Sequence, residues 1–380
     1  MLDSAASRGR VLDSTVIDST VIGIDFGGTK TAVALADARG NLLRQLRIPT
    51  RAEQGPDQIL ARACAAALEL AGQARSHHGA PVGAYAAVAP GVIRPDRILL
   101  SPNLPGWEDL ALAERLQREL GVDVVPVTND VRAGALAEAR SGALRDADPG
   151  IYISLGTGIA AALTIGGKVL NGAHQAAGEI AYLEPGPGVH EGGVHDGGEY
   201  DGGEYGAGRA PLPSGRELMG AGASAGERGC AHGSITESLA STEPVARAEP
   251  VDLRAPLEEL VGGKGLGARA SALLGREVSA TDLFGRDDPA SQRLARQALG
   301  ALAVAVANIA VLVDPARIAV GGGMMAAAEH ILPALSAHLS RTVPFPPDVV
   351  PAHFLEDASL HGAVALAVDH LAVEHLAPGT

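Results

Sequence analysis

The sequence predicts an α/β protein of two lobes, each opening on a strand, a glycine turn and a returning strand. Three observations carry this. The stretches "VIGIDFGGTKTAVALA" (21–36) and "IYISLGTGIAAALTIGGKVLNG" (151–172) repeat one pattern of apolar run, glycine turn and apolar run. Apolar residues recur at helical spacing between the strand-like runs, as in "GPDQILARACAAALELAGQA" (55–74). Polar residues gather where strands end, as Asn129 and Asp130 do after "DVVPVT". The shared opening suggests a duplicated lobe.

The elements follow in order. Val21–Asp25, Lys30–Ala36 and Leu42–Ile48 read as an antiparallel meander, joined by the turns "FGGT" and "DARGN". The helix from Gly55 comes next, then the strand "PVGAYAAVAPGV", ending at Pro90-Gly91. "LALAERLQRELG" reads as a helix stopped by Gly121, "DVVPVTND" as a strand, and "VRAGALAEARSG" as a helix. The second hairpin then turns again at Gly166-Gly167. Residues 184–250 are rich in Gly, Glu and His without apolar periodicity and read as an irregular, partly mobile excursion. "SQRLARQALGALAVAVANIAVLV" contains a long apolar helix from Arg293 to Val313, and "RIAVGGGMM" is a strand entering three glycines.

Composition narrows the function. A chain of 380 residues suggests roughly two domains of ~100–200 residues. With 46% hydrophobic but only 3% aromatic residues, the cores rest on Val, Leu, Ala and Ile. A net charge of −14 argues against nucleic-acid binding. No apolar run predicts a membrane span, and the N-terminus lacks a secretory core. Cys64 and Cys230 are the only cysteines, so a disulfide framework is not expected and the cytoplasm fits.

The first hairpin carries chemistry. Backbone N–H groups of a glycine turn at Gly27 and Gly28 approach a phosphate closely, Thr29 adds a hydroxyl donor, and Lys30 adds a point charge. Asp25 would repel phosphate unless Mg²⁺ lies between them. The same residues also suit a plain tight hairpin with a surface lysine. No G-x-x-x-x-G-K-[ST] loop occurs. Residues 156–161, "GTGIAA", match a relaxed dinucleotide fingerprint, but a strand rather than a helix is expected after them. "GKGLGA" (263–268) matches as well, without a preceding strand.

Taken together, "DFGGTK" (25–30), Pro90-Gly91, "SPNLPGW" (101–107), "TNDVRAGALAE" (128–138), "SLGTGI" (154–159), "NGAHQAAGEI" (171–180) and "VDPARIAVGGGM" (313–324) resemble the ROK family in order and spacing. The resemblance covers roughly residues 20–183 and 290–370. It implies an actin-like ATPase, hexokinase-type fold with two lobes around a central cleft, and ATP-dependent phosphorylation of a sugar hydroxyl. The expected organisation is a tail (1–18), a small lobe (19–138 with 360–380), and a large lobe (139–359) carrying the insert. About twenty residues precede the first strand, which favours the kinase branch over DNA-binding repressors of the family.

The resemblance also implies residue roles. Asp130 is the expected catalytic base; capping the following helix is the plainer role open to it. Asn103, Asn129 and Glu179 would hydrogen-bond the sugar. The hairpins Asp25–Lys30 and Gly156-Thr157-Gly158 would hold the phosphates, with Mg²⁺ at Asp25. Gly321, Gly322 and Gly323 would let adenosine lie against the backbone. A homodimer, with the long helix at its face or wholly in the core, is expected.

The departures concern the acceptor. ROK kinases follow the A-G-E segment with Gly-His and a cysteine-rich run that binds structural zinc. Here Ala181 and Tyr182 stand at those positions, and no cysteine lies between 65 and 229, so no structural zinc is expected. His190, Glu191, His195, Asp196 and Glu199 could bind another metal, although a solvated acidic loop is the plainer reading. Glu204 is a weakly aligned match to the last sugar-contacting Glu. Tyr182 puts ordinary glucose specificity in question, so an altered hexose, an amino sugar or a cyclitol stays open. So do polyphosphate as donor and a non-catalytic sugar-binding regulator.

Overall fold

The computed structural model describes residues 19–185 and 254–376. The expected tail and the insert carrying His190, Glu191, His195, Asp196, Glu199 and Glu204 lie outside the described residues. In chain order the first elements are β1 (Thr20–Phe26), β2 (Lys30–Asp37), β3 (Leu42–Pro49), α1 (Gly55–Gln73), β4 (Val82–Ala89), β5 (Val92–Ile93), β6 (Ile98–Leu99), α2 (Leu112–Leu120), β7 (Val127–Asn129) and α3 (Asp130–Ser141). Then come β8 (Gly150–Leu155), β9 (Ile159–Ile165), β10 (Lys168–Val169), α4 (Pro256–Val261), α5 (Gly263–Leu274), α6 (Ala280–Phe284), α7 (Pro289–Val313), β11 (Arg317–Gly321), α8 (Ala328–Thr342), β12 (Asp348–Pro351) and α9 (Ala358–Leu376).

Two five-stranded sheets share one topology. The first runs β3-β2-β1-β4-β7 and the second β10-β9-β8-β11-β12. In each, three antiparallel strands form a meander and two more join in parallel. Parallel neighbours need a crossover, and helices supply it: α1 before β4, α2 before β7, α7 before β11 and α8 before β12. The repeated hairpin read from the sequence is thus the opening of a repeated five-strand unit. Because β9 pairs antiparallel with β8 immediately after residues 156–158, the dinucleotide reading fails for lack of its helix.

The central strand β1 of the first sheet is covered on both faces. Ile22, Ile24 and Phe26 of β1 pack with Ile59, Leu60 and Ala67 of α1, while Val21 packs with Leu360, Val364 and Ala367 of α9. This is the period-two alternation of a strand between two helical layers. Helix α9 also runs against α3 so closely that a Cβ on Gly362 would lie 2.0 Å from the Ala133 carbonyl oxygen. The second core gathers Ile151, Ile153, Ile318 and Val320 of the sheet with Leu302, Val306 and Ala310 of α7.

Three expectations shift. The strand expected over "DVVPVTND" pairs only at Val127–Asn129, because Pro126 has no N–H for the ladder; its carbonyl still accepts from Ala87 N at 2.9 Å. The long helix begins at Pro289 rather than Arg293, with proline in its first turn and the Asp288 side chain accepting from Ser291 N. Helix α7 is also long and apolar enough to cross a membrane by length and composition, with a mean hydropathy of 1.8. Here its inner face is part of the second core.

Candidate active site

The loop after β6 is anchored by Trp107. Its fully buried indole packs edge-on against Phe26 at the end of β1, with ring centroids 5.3 Å apart. That anchor brings Asn103 against the first hairpin, where a Cβ on Gly28 would lie 2.9 Å from the Asn103 Cβ. The hairpin itself is closed by Gly27 N donating to the Lys30 carbonyl at 3.1 Å and steadied by Thr50 Oγ1 donating to the Gly27 carbonyl at 2.6 Å. Thr29 and Lys30 are exposed at its tip.

Asp130 stands where β7 gives way to α3. The cap of that helix is Asn129, whose Oδ1 accepts from Arg132 N at 2.8 Å. Asn129 is buried, and its Nδ2 lies 3.5 Å from Glu179 Oε1. It therefore lies against the Glu179 carboxylate and is not itself among the residues that line the active-site cavity, although a direct substrate contact was expected of it. Asp130 is left free to face outward, and its Oδ1 accepts from the adjacent Val131 N at 2.9 Å.

A cavity of about 750 Å³ joins these elements to the second hairpin. Asn103 and Asp130 line it from the first sheet's side, and Gly156, Thr157, Gly158, Glu179 and Tyr182 from the second's. Gly178, at φ 89° and just ahead of Glu179, accepts from Ala161 N at 2.8 Å, which ties the Glu179 loop onto β9. Asp25 and the Gly27–Lys30 turn lie beside this cavity without forming its wall. Asp25 nonetheless feels the Asp130 charge. Gly321–Gly323 also lie outside the wall but adjoin it: the Gly323 nitrogen is 3.7 Å from the position of a Cβ on Gly156. A Cβ on Gly323 would meet nothing, so the space over these two glycines is open.

The carboxylates of the site repel one another in a partly dehydrated cleft. Burial pushes Asp25 up to about 6, against a hydrogen bond of 2.7 Å from Ser359 Oγ at the start of α9; Asp130 raises it further. Burial likewise raises Asp130, which is open to the cleft yet surrounded by protein atoms. Glu179 is raised first by burial, and Arg132 opposes that shift. Clustered acids of this kind favour an incoming cation or a bound proton.

Sequence reasoning missed Glu258 and Lys264, both of which line the cavity. Glu258 Oε2 accepts from Ile159 N at 3.2 Å. The N-terminus of α5 abuts the second hairpin, with Gly263 N and Lys264 N donating to the carbonyls of Gly156 and Thr157 at 2.8 and 3.0 Å. The signal was the "GKG" of residues 263–265, set aside for want of a preceding strand, although a helix start needs none.

Comparison with known proteins agrees with this architecture. The ROK family model matches residues 21–242 and 253–370. The chain is 28% identical over 351 residues to an N-acetylmannosamine kinase of Escherichia fergusonii, covering 92% of this chain and 98% of that one. It is 26% identical over 338 residues to a glucokinase of Halalkalibacterium halodurans, covering 84% of this chain and 85% of that one. A ROK hexokinase from Thermus thermophilus superposes with a TM-score of 0.66 at 25% identity, covering 94% of this chain and 99% of that one. With a repeated five-strand unit, a shared cleft and a family match along nearly its whole length, the chain belongs to the ROK family.

Proposed function

We propose that this protein is a sugar kinase that transfers a phosphoryl group from ATP to a hydroxyl of a hexose or amino hexose, with Asp130 as general base. The observation that carries the reading is that Asp130 and the Gly156–Gly158 hairpin wall one cavity together with Asn103 and Glu179. The sugar kinase names of the relatives support the same class.

The residues present suit the nucleotide. The open space over Gly156 and Gly323 accepts a chain of phosphates or a ribose, and Lys264 adds a cation at the start of α5. They also suit Mg²⁺ held by one carboxylate plus phosphates and water, with Asp25 as that carboxylate and the Gly27–Lys30 turn beside it. When bound, the ion would neutralise charge on the transferring group.

The chain's own residues do the rest. Asn103 and Glu179 hold the acceptor through its hydroxyls, since the amide both donates and accepts. The Asp130 carboxylate takes the proton of the reacting hydroxyl as its oxygen bonds to the terminal phosphorus and the bond to the ADP oxygen breaks. Tyr182 narrows the acceptor end of the cavity and bears on the choice among glucose-like, amino-sugar and cyclitol acceptors. Val304, Val311 and Leu312 are exposed on α7 and support its use as the face of a homodimer.

The test is a panel of hexoses, amino hexoses and cyclitols scored for ADP release, with Asp130→Asn as control. The variant is expected to bind sugar and to lose turnover by ~10²–10⁴-fold. Undiminished turnover would exclude Asp130 as the base, and silence across the whole panel would favour a sugar-binding regulator.

A further inference from the structure

Behind the catalytic helix lies a second cavity of about 470 Å³. It shares no lining residue with the active-site cleft. Its walls come from β7, the inward side of α3, the β9–β10 turn with the loop that follows, and the end of α9. Three cations line it, Arg132, Arg140 and Lys168, against one carboxylate, Asp369. That balance stands out in a chain of net charge −14.

Arg132 is the built element. The residue is 2% exposed, so its guanidinium is withdrawn from bulk water. One nitrogen, Nη2, donates to the carbonyls of Gln175 and Ala177 at 2.8 and 3.2 Å. Its Nε is buried with no hydrogen-bond partner among the described residues. Arg62 Nε and Arg115 Nε are likewise buried without a partner among the described residues, but of the three only Arg132 lines this cavity, and the acceptor that suits such a group best is an oxyanion. Arg140 keeps one nitrogen on Asp369 at 2.8 Å, and Lys168 makes no ion pair among the described residues.

We infer that this cavity binds a small phosphate-bearing anion, either free phosphate or a sugar phosphate, held by Arg132, Arg140 and Lys168. Its position makes it a control site for the cleft. Arg132 follows Asp130 on the same helix turn. Through its carbonyl bonds it holds the loop leading to Glu179, including Gln175 in a left-handed conformation at φ 59°. An anion that draws the guanidinium toward itself weakens those bonds and loosens the Glu179 loop. Glu179 and Asp130, which attract Arg132 from the cleft side, oppose that movement.

Calorimetry on the full chain tests the site, with a non-hydrolysable ATP analogue and sugar present to occupy the cleft. Inorganic phosphate is titrated in one arm and a hexose 6-phosphate in the other. One anion per chain is expected in at least one arm, and the arm that binds identifies the source. Lys168→Glu and Arg140→Gln, both outside the cleft, are each expected to weaken binding at least tenfold while leaving turnover without added anion unchanged. Absence of heat in both arms, or unchanged affinity in both variants, overturns the inference. The two variants locate the site, so the result is separate from whether the protein releases ADP.

Discussion

Asp25 ends β1 with its carboxylate pushed up to about 6, chiefly by burial, and accepts a hydrogen bond from Ser359 on α9. A carboxylate raised in the folded state favours folding while it holds its proton, and that contribution fades as pH rises through about 6. Asp25→Asn keeps an acceptor for Ser359 and removes the buried charge. Its melting temperature should therefore exceed that of the unmodified protein at pH 8, and the gap should close by pH 4, while turnover is lost. Equal gaps at both pH values would contradict a dehydrated carboxylate. Asp130 is raised in the same direction, so turnover should fall on acidification above the ordinary carboxylate range. A strand end marked Asp130 in the sequence, and the order of the family's motifs marked Asn103 and Glu179; all three line the cavity. The inward turn of Asn129 was not legible, because an asparagine amide can cap a helix or hydrogen-bond a ligand and the residue type alone does not decide between them.

At the scale of elements, the two hairpins are held by backbone as much as by side chains. Gly178 has φ 89°, and a Cβ there would lie 1.9 Å from the Ala161 carbonyl oxygen. Gly178→Ala should destabilise the fold by roughly 2–4 kcal/mol, since a strained φ and a backbone clash combine; denaturant unfolding gives the value. Helix α7 depends on its cap. Asp288 is depressed to about 2, first by the Ser291 backbone hydrogen bond. A depressed carboxylate stabilises above its ordinary range and loses that effect as pH falls toward about 2. Asp288→Ala should then lower the melting temperature at pH 7 and differ progressively less on acidification. Helical periodicity made α1, α2 and α7 readable. The brevity of β7 follows from Pro126, a signal present in the sequence, whereas the meeting of α5 with the second hairpin was not readable, since it joins segments far apart in the chain.

For the whole molecule, turnover should require Mg²⁺ and the purified protein should hold no structural zinc. Dialysis against a chelator should leave the melting temperature unchanged while abolishing turnover, which Mg²⁺ alone restores. Metal analysis finding one zinc per chain would contradict that expectation. The sequence by itself determined the repeated hairpin, the α/β class and the family, because apolar period and turn chemistry are local properties that motif order compounds. Tertiary structure alone decided that both halves are one five-strand unit used twice. It also decided that Glu258 and Lys264 line the cleft, and that Arg132 lines a second cavity. Those facts depend on residues far apart in the chain meeting around a shared core, and no local window of sequence contains that meeting.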